Sequence, residues 1–182
     1  MDELISYEGN WPAGGIISTA DDMLRFGNAM ISSYKGTNGF LTQQTVRELW
    51  SPETVGKVKP IIMGTDEYAK GWMISKPPEP YPYKTVIWHS GGLDGTTTLF
   101  NLFPDENMVG IAFLNRGMGA QGNGFNEDFN LNAKYDTIDD AIKDARILVN
   151  TFMAQNSVPG AVMGFSINGT NVWTEGFGYT DI

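Results

Sequence analysis

Residues 117–135 divide the sequence into two patterned blocks, and any fold must bring those blocks together. The stretch from Gly117 to Tyr135 is rich in Gly and Asn and carries neither a helical nor a strand period. A structureless segment of that length is unusual inside a compact domain, so it reads as a connector. The block before it spells two helices and three strands. The block after it spells one helix and one hairpin.

The first block opens with an amphipathic helix. Ser18 or Thr19 can cap it, and Asp21 and Asp22 lie where the helix dipole favours acid. Met23, Phe26, Met30 and Ile31 recur at helical spacing, and Gly36 suits a left-handed terminal residue. A shorter helix is expected from Thr42 to about Trp50, with Val46, Leu49 and Trp50 inward and Ser51-Pro52 as its stop. Pro60, Pro77, Pro78, Pro80 and Pro82 punctuate the next stretch, which predicts loops with short extended pieces around Tyr68–Ile74. Three strands follow, at Thr85–His89, Thr96–Phe103 and Met108–Asn115. Gly91–Gly95 forms the turn of the first pair and Pro104–Asn107 that of the second. In the second block Thr137 caps a helix with an apolar face of Ile138, Ala141, Ile142, Ala145, Leu148, Val149 and Phe152. A hairpin closes the chain, Ala161–Ile167 and Val172–Tyr179 about an Asn168-Gly169 turn.

Composition narrows the function. At 182 residues, 41% hydrophobic and 18% charged, the chain can build one globular core. A net charge of -9 repels a phosphate backbone, so no nucleic-acid partner is expected. No window approaches the roughly 18 apolar residues of a membrane span. Met1-Asp2-Glu3 places acid where a basic leader belongs, so neither a signal peptide nor a membrane association is expected. Cysteine is absent and His89 is the single histidine, which excludes thiolate and multi-imidazole metal sites. No Asp-x-Asp-x-Asp-Gly loop suggests calcium, and no motif calls for a metal or a cofactor.

Several short motifs agree with one another. Pro12-Ala13-Gly14-Gly15 runs into Ser18-Thr19-Ala20 and Asp22 at the start of the first helix. Trp88-His89-Ser90-Gly91-Gly92 leads through two strands to Phe113-Leu114-Asn115-Arg116. Together these resemble the C-terminal half of the serine β-lactamase and D-alanyl-D-alanine peptidase superfamily, in its class C-related form and in the style of its animal mitochondrial branch. Val158-Pro159-Gly160 with Gly176-Phe177-Gly178-Tyr179 resembles the same superfamily's opening hairpin. The likeness covers roughly two thirds of the chain. The resemblance implies an α+β fold: a single five-stranded antiparallel sheet with helices packed on it, lacking the helical insertion. It also implies one domain over residues 1–182, with 1–116 as the family's later half, 117–135 as connector and 136–182 as its beginning. Such an order is that of a circular permutant, natural or built, which is physically reasonable where chain ends lie close together. Met108–Asn115 should then lie beside Ala161–Ile167.

The resemblance also assigns roles at the third active-site motif of that superfamily. His89 would bind substrate carboxylate and relay protons. Ser90 would offer a hydroxyl to the same carboxylate. Gly91 would leave the edge strand bare for substrate backbone. The Gly92 N–H would be one of two oxyanion donors. The blander alternative is that His89 merely ends a strand and enters a turn.

The second oxyanion donor belongs to a nucleophilic serine in a Ser-x-x-Lys motif, and none is found in a suitable setting. Ser32-Ser33-Tyr34-Lys35 fits the letters, but it falls at the end of the first helix, where the dipole disfavours an alkoxide. Ser166-Ile167-Asn168 fits the second motif's Ser-x-Asn form, but it leads into a hairpin turn. Three readings follow. The first is an isolated, permuted α/β domain that is inactive alone. The second is a compact serine hydrolase of amides or esters using His89 and an unrecognised serine. The third is a non-catalytic module that binds the missing helical region or self-associates.

Overall fold

The computed structural model describes residues 14–52, 65–77, 82–93, 95–117 and 135–179. Its ordered elements are α1 (Ala20–Lys35), α2 (Gln43–Leu49), β1 (Thr65–Tyr68), β2 (Met73–Lys76), β3 (Val86–Leu93), β4 (Thr96–Phe103), β5 (Met108–Leu114), α3 (Ile138–Gln155), β6 (Gly160–Ile167) and β7 (Thr170–Gly178). All seven strands form one antiparallel sheet in chain order. The expected α+β class holds, but the sheet has seven strands rather than five. The two additions, β1 and β2, come from the proline-punctuated stretch read as loops with extended pieces. Four residues are too few to show a period, which is why the sequence left them unassigned. They turn at Gly71, whose φ of 78° suits glycine. The Lys70 N–H to Leu49 carbonyl bond of 3.2 Å fastens that turn to the end of α2.

The two blocks meet at β5 and β6. Seven register pairs run from Met108↔Ile167 to Leu114↔Ala161, so Met108–Leu114 does lie beside the closing hairpin. Asn115 closes the end of this seam. Its Oδ1 accepts from the Gly160 N–H at 2.6 Å, and its Nδ2 donates to the Tyr179 carbonyl at 2.9 Å. The connector itself, apart from Gly117 and Tyr135, lies outside the described residues, as do Pro12 and Ala13.

Strand alternation sends successive side chains to opposite faces. On one face α1 and α2 cover Ile74, Ile87, Phe100, Leu102, Val109 and Ile111. On the other, Phe152 and Met153 of α3 pack on Ala112, Leu114, Ala161 and Met163. Thr19 caps α1 by accepting from the Asp22 N–H at 3.2 Å, and Gly36 ends it with φ 70°. Leu24, Met30 and Ile31 are buried, but Phe26, expected inward, is 39% exposed. The cause is Gly27. A Cβ there would stand 2.6 Å from Val109 Cγ1, so the helix lies close against the sheet at this glycine. Phe26 is thereby turned to the rim, where it stacks on Phe100 at 6.1 Å.

Thr137 caps α3 as expected. Of the apolar face expected for it only Ile138 is exposed; Ala141, Ala145, Leu148 and Val149 are half-buried. Ile142, Phe152 and Met153 are buried, while Ile138 is 49% exposed. The helix is docked by its later turns and by an ion pair, Arg146 Nε to Glu175 Oε2 at 2.8 Å. At the hairpin tip Asn168 (φ 52°) and Gly169 (φ 80°) both take the left-handed conformation that a two-residue turn requires. Among the described residues no helix is long and apolar enough to cross a membrane.

Candidate functional site

His89, Ser90, Gly91 and Gly92 all lie on β3, and all four are exposed. The strand does not end at His89. It runs on to Leu93, which pairs with Thr96, and Gly95 before Thr96 has φ 81°. Both the expected strand end at His89 and the turn starting at Gly91 are corrected by this extension. A left-handed glycine at Gly95 suits a tight reversal, which lets the pairing continue to Leu93 and Thr96.

The two edges of β3 differ along its length. Its first half is sandwiched, since Val86, Ile87 and Trp88 pair with Ser75, Ile74 and Met73 of β2. That register stops at Trp88. From His89 to Leu93 the strand pairs only with β4 among the described residues. The candidate motif therefore begins where β3 becomes an edge.

Trp88 anchors this junction. It is 2% exposed, and its indole N–H donates to Ser75 Oγ at 2.8 Å. Beside it Tyr83 packs on Phe103 with ring centroids 4.6 Å apart. Burial, and then the charge of Glu106, push the Tyr83 phenol up from its ordinary value. Both effects disfavour a phenolate, so Tyr83 stays a neutral packing residue.

Gly91 faces Thr98 across the ladder, and a Cβ there would fall 2.7 Å from Thr98 Oγ1. Gly92 has no such neighbour closer than 4.0 Å. Neither is among the residues of positive φ, so their value is the bare strand and not a special backbone conformation.

Both ring nitrogens of His89 are engaged. Nδ1 lies 2.6 Å from the Ser90 carbonyl oxygen, and Nε2 lies 3.4 Å from the Tyr68 hydroxyl. The Tyr68 and His89 rings meet edge to face, 6.3 Å apart at 67°. Tyr68 was not singled out by the sequence. It sits at the end of β1, and only the hairpin carrying it, itself unassigned from the sequence, brings it to His89.

The serine decoys behave as their positions imply. Ser32, the serine of the Ser-x-x-Lys match, is half-buried in the last turn of α1, and its carbonyl accepts from the Thr37 N–H at 3.0 Å; the neighbouring Ser33 is 1% exposed, donates to the Ala29 carbonyl at 2.8 Å and accepts from the Leu41 N–H at 3.2 Å. Lys35 is in the last turn of α1, ahead of the Gly36 cap. Ser166 is fully buried and donates to Asn28 Oδ1 at 2.8 Å. None of these hydroxyls bonds His89. Among the described residues no group of His, Asp or Glu could hold a metal ion.

An antiparallel sheet flanked by helices is the α+β class that the resemblance implies, and comparison with known proteins gives the family. The chain belongs to the beta-lactamase family, whose model matches residues 2–133. The matched residues contain α1 through β5, while α3, β6 and β7 lie beyond them. The relatives include the serine beta-lactamase-like protein LACTB, mitochondrial, of Mus musculus, 29% identical over 113 residues, covering 53% of this chain and 20% of that protein. The Homo sapiens protein of the same name matches with the same identity and coverage. The chain thus spans about a fifth of the length of the curated relatives it matches, their 20%. No solved structure matches.

Proposed function

We propose that this chain is the α/β domain of a serine β-lactamase-like acyl hydrolase, with its two blocks transposed, and that these residues alone do not turn over substrate. The observation that carries the reading is the β5–β6 ladder. By resemblance it joins the family's last strand to its first. His89–Gly92 then form one wall of an acyl-binding cleft. His89 and Ser90 address a carboxylate, Gly91 leaves the backbone open to an extended ligand, and the Gly92 N–H supplies one oxyanion donor. A stable acyl enzyme needs an activated hydroxyl at the positive end of a helix with a neutral amine nearby. Ser32 and Lys35, at the opposite end of α1, offer neither.

Hydrolysis of nitrocefin and of an activated ester tests this. The expected result is a background rate, identical in the His89→Ala variant. Turnover that His89→Ala abolishes would contradict the reading and favour the compact hydrolase instead. Fluorophosphonate labelling would then identify its serine.

A second reading, a binding module, is favoured by the half of β3 left open beyond Trp88. Leu93 and Phe40, 39% and 60% exposed, are apolar surface that a partner could cover. On this reading the helical region of a related enzyme, added separately, shifts the amide resonances of His89–Gly92. Resonances that stay in place would reject it.

A further inference from the structure

Tyr68 has no role in the motif that the resemblance supplies, yet its hydroxyl is the group that meets His89 Nε2. The hydrogen-bond arithmetic of the ring is restrictive. A carbonyl oxygen only accepts, so the 2.6 Å contact with Ser90 requires the proton on Nδ1. In the neutral ring Nε2 then carries a lone pair and can only accept. The Tyr68 hydroxyl, 3.4 Å away, is the donor that suits it.

We propose that Tyr68 is a positioning residue for His89: its O–H donates to Nε2 while the Ser90 carbonyl receives Nδ1–H, and the two bonds fix the imidazole's tautomer and its tilt over the open edge of β3. This rests on the reading that His89–Gly92 is the acyl-binding motif, and it adds what that motif lacks. An exposed imidazole on a strand edge can rotate about its side-chain bonds and place its proton on either nitrogen. A partner on each nitrogen removes both freedoms, as outer-shell partners do for histidines in other sites. The arrangement also explains why the short hairpin matters. β1 ends at Tyr68, at the margin of the sheet where β2 stops covering β3, and from there the phenol reaches His89.

The chain holds one histidine, so the ring of the intact protein gives a single pair of side-chain nitrogen resonances. Nitrogen-15 spectra of the neutral ring should show a protonated Nδ1 and a hydrogen-bonded, unprotonated Nε2. In Tyr68→Phe, which keeps the aromatic ring, the Nε2 resonance should move downfield, as an acceptor does on losing its donor. Superimposable spectra of the two proteins, or a wild-type ring protonated on Nε2, would overturn the proposal. A second measurement needs no variant: ring protons of Tyr68 and His89 should show a nuclear Overhauser effect, and its absence would also overturn it. Acetate separates this from the reading beneath it. If Tyr68→Phe moves the ring while acetate does not, the positioning role stands and the carboxylate-binding motif falls. If acetate moves the ring while Tyr68→Phe does not, the positioning role falls.

Discussion

Gly27 and Glu175 show how single residues set the way the helices lie on the sheet. At Gly27 a methyl group would collide with both Val109 methyls, at 2.6 and 2.9 Å. Alanine is about 1 kcal/mol better than glycine inside a helix, but overpacking a close contact costs about 1–3 kcal/mol. Gly27→Ala should therefore be destabilising, by up to about 2 kcal/mol, in denaturant titration. The loss should shrink in a Val109→Ala background, since the two sites are in contact and cannot be additive. A stabilising Gly27→Ala would mean that α1 stands further off. Glu175 works through charge. The indole N–H of Trp173, 2.7 Å away, is the largest influence on its carboxyl, desolvation acts against it, and the Arg146 guanidinium adds to it. The net effect holds the carboxyl below its usual range. A lowered folded-state value means the contribution is present above the unfolded carboxyl's value and is lost as pH falls through the folded one. Wild type should thus be more stable than Glu175→Gln near neutral pH. The gap should close below the ordinary carboxylate range, and a gap that persists into acid would contradict the linkage.

At the scale of elements, α3 packs unevenly along its length. Ile138 and Ile147 are 49% and 62% exposed, while Ile142, Phe152 and Met153 are buried. Hydrogen exchange should be faster in the first turn of α3, where Ile138 is exposed, than in β5 or β6, whose strands lie inside the sheet. Equal protection throughout would show a more complete docking. The sequence made the elements with strong local signals legible. Thr19, Gly36, Thr137 and the Asn168-Gly169 turn all do what their chemistry requires. It gave β1 and β2 only as short extended pieces around Tyr68–Ile74 and not as sheet strands, because four-residue strands among prolines carry no period. It misjudged the phase of α1 because the close contact with the sheet is made by a glycine, which carries no hydrophobic signal at all. At the candidate site the residues His89–Gly92 were legible as letters. Their placement on a half-open strand was not, because that depends on where β2 stops. Tyr68 was invisible for the same reason, being 21 residues from His89 in sequence.

The whole molecule is defined by a seam between segments far apart in the chain. Besides the ladder, Leu24 Cδ1 would stand 3.2 Å from a Cβ at Gly164, Asn28 bonds the buried Ser166, and Asp21 accepts from Asn171 and Thr174 at 2.8 and 2.9 Å. α1 of the first block thus lies across both strands of the second. A single sheet built this way buries the inner faces of both blocks, so the two should unfold in one cooperative transition. The most direct test is the pattern of cross-strand nuclear Overhauser effects in the intact chain. One continuous sheet requires backbone proton contacts between Ile111 and Gly164 and between Phe113 and Val162, as strong as those between β4 and β5. Contacts within β4–β5 and within β6–β7, with none between β5 and β6, would place the closing hairpin elsewhere and contradict the shared sheet.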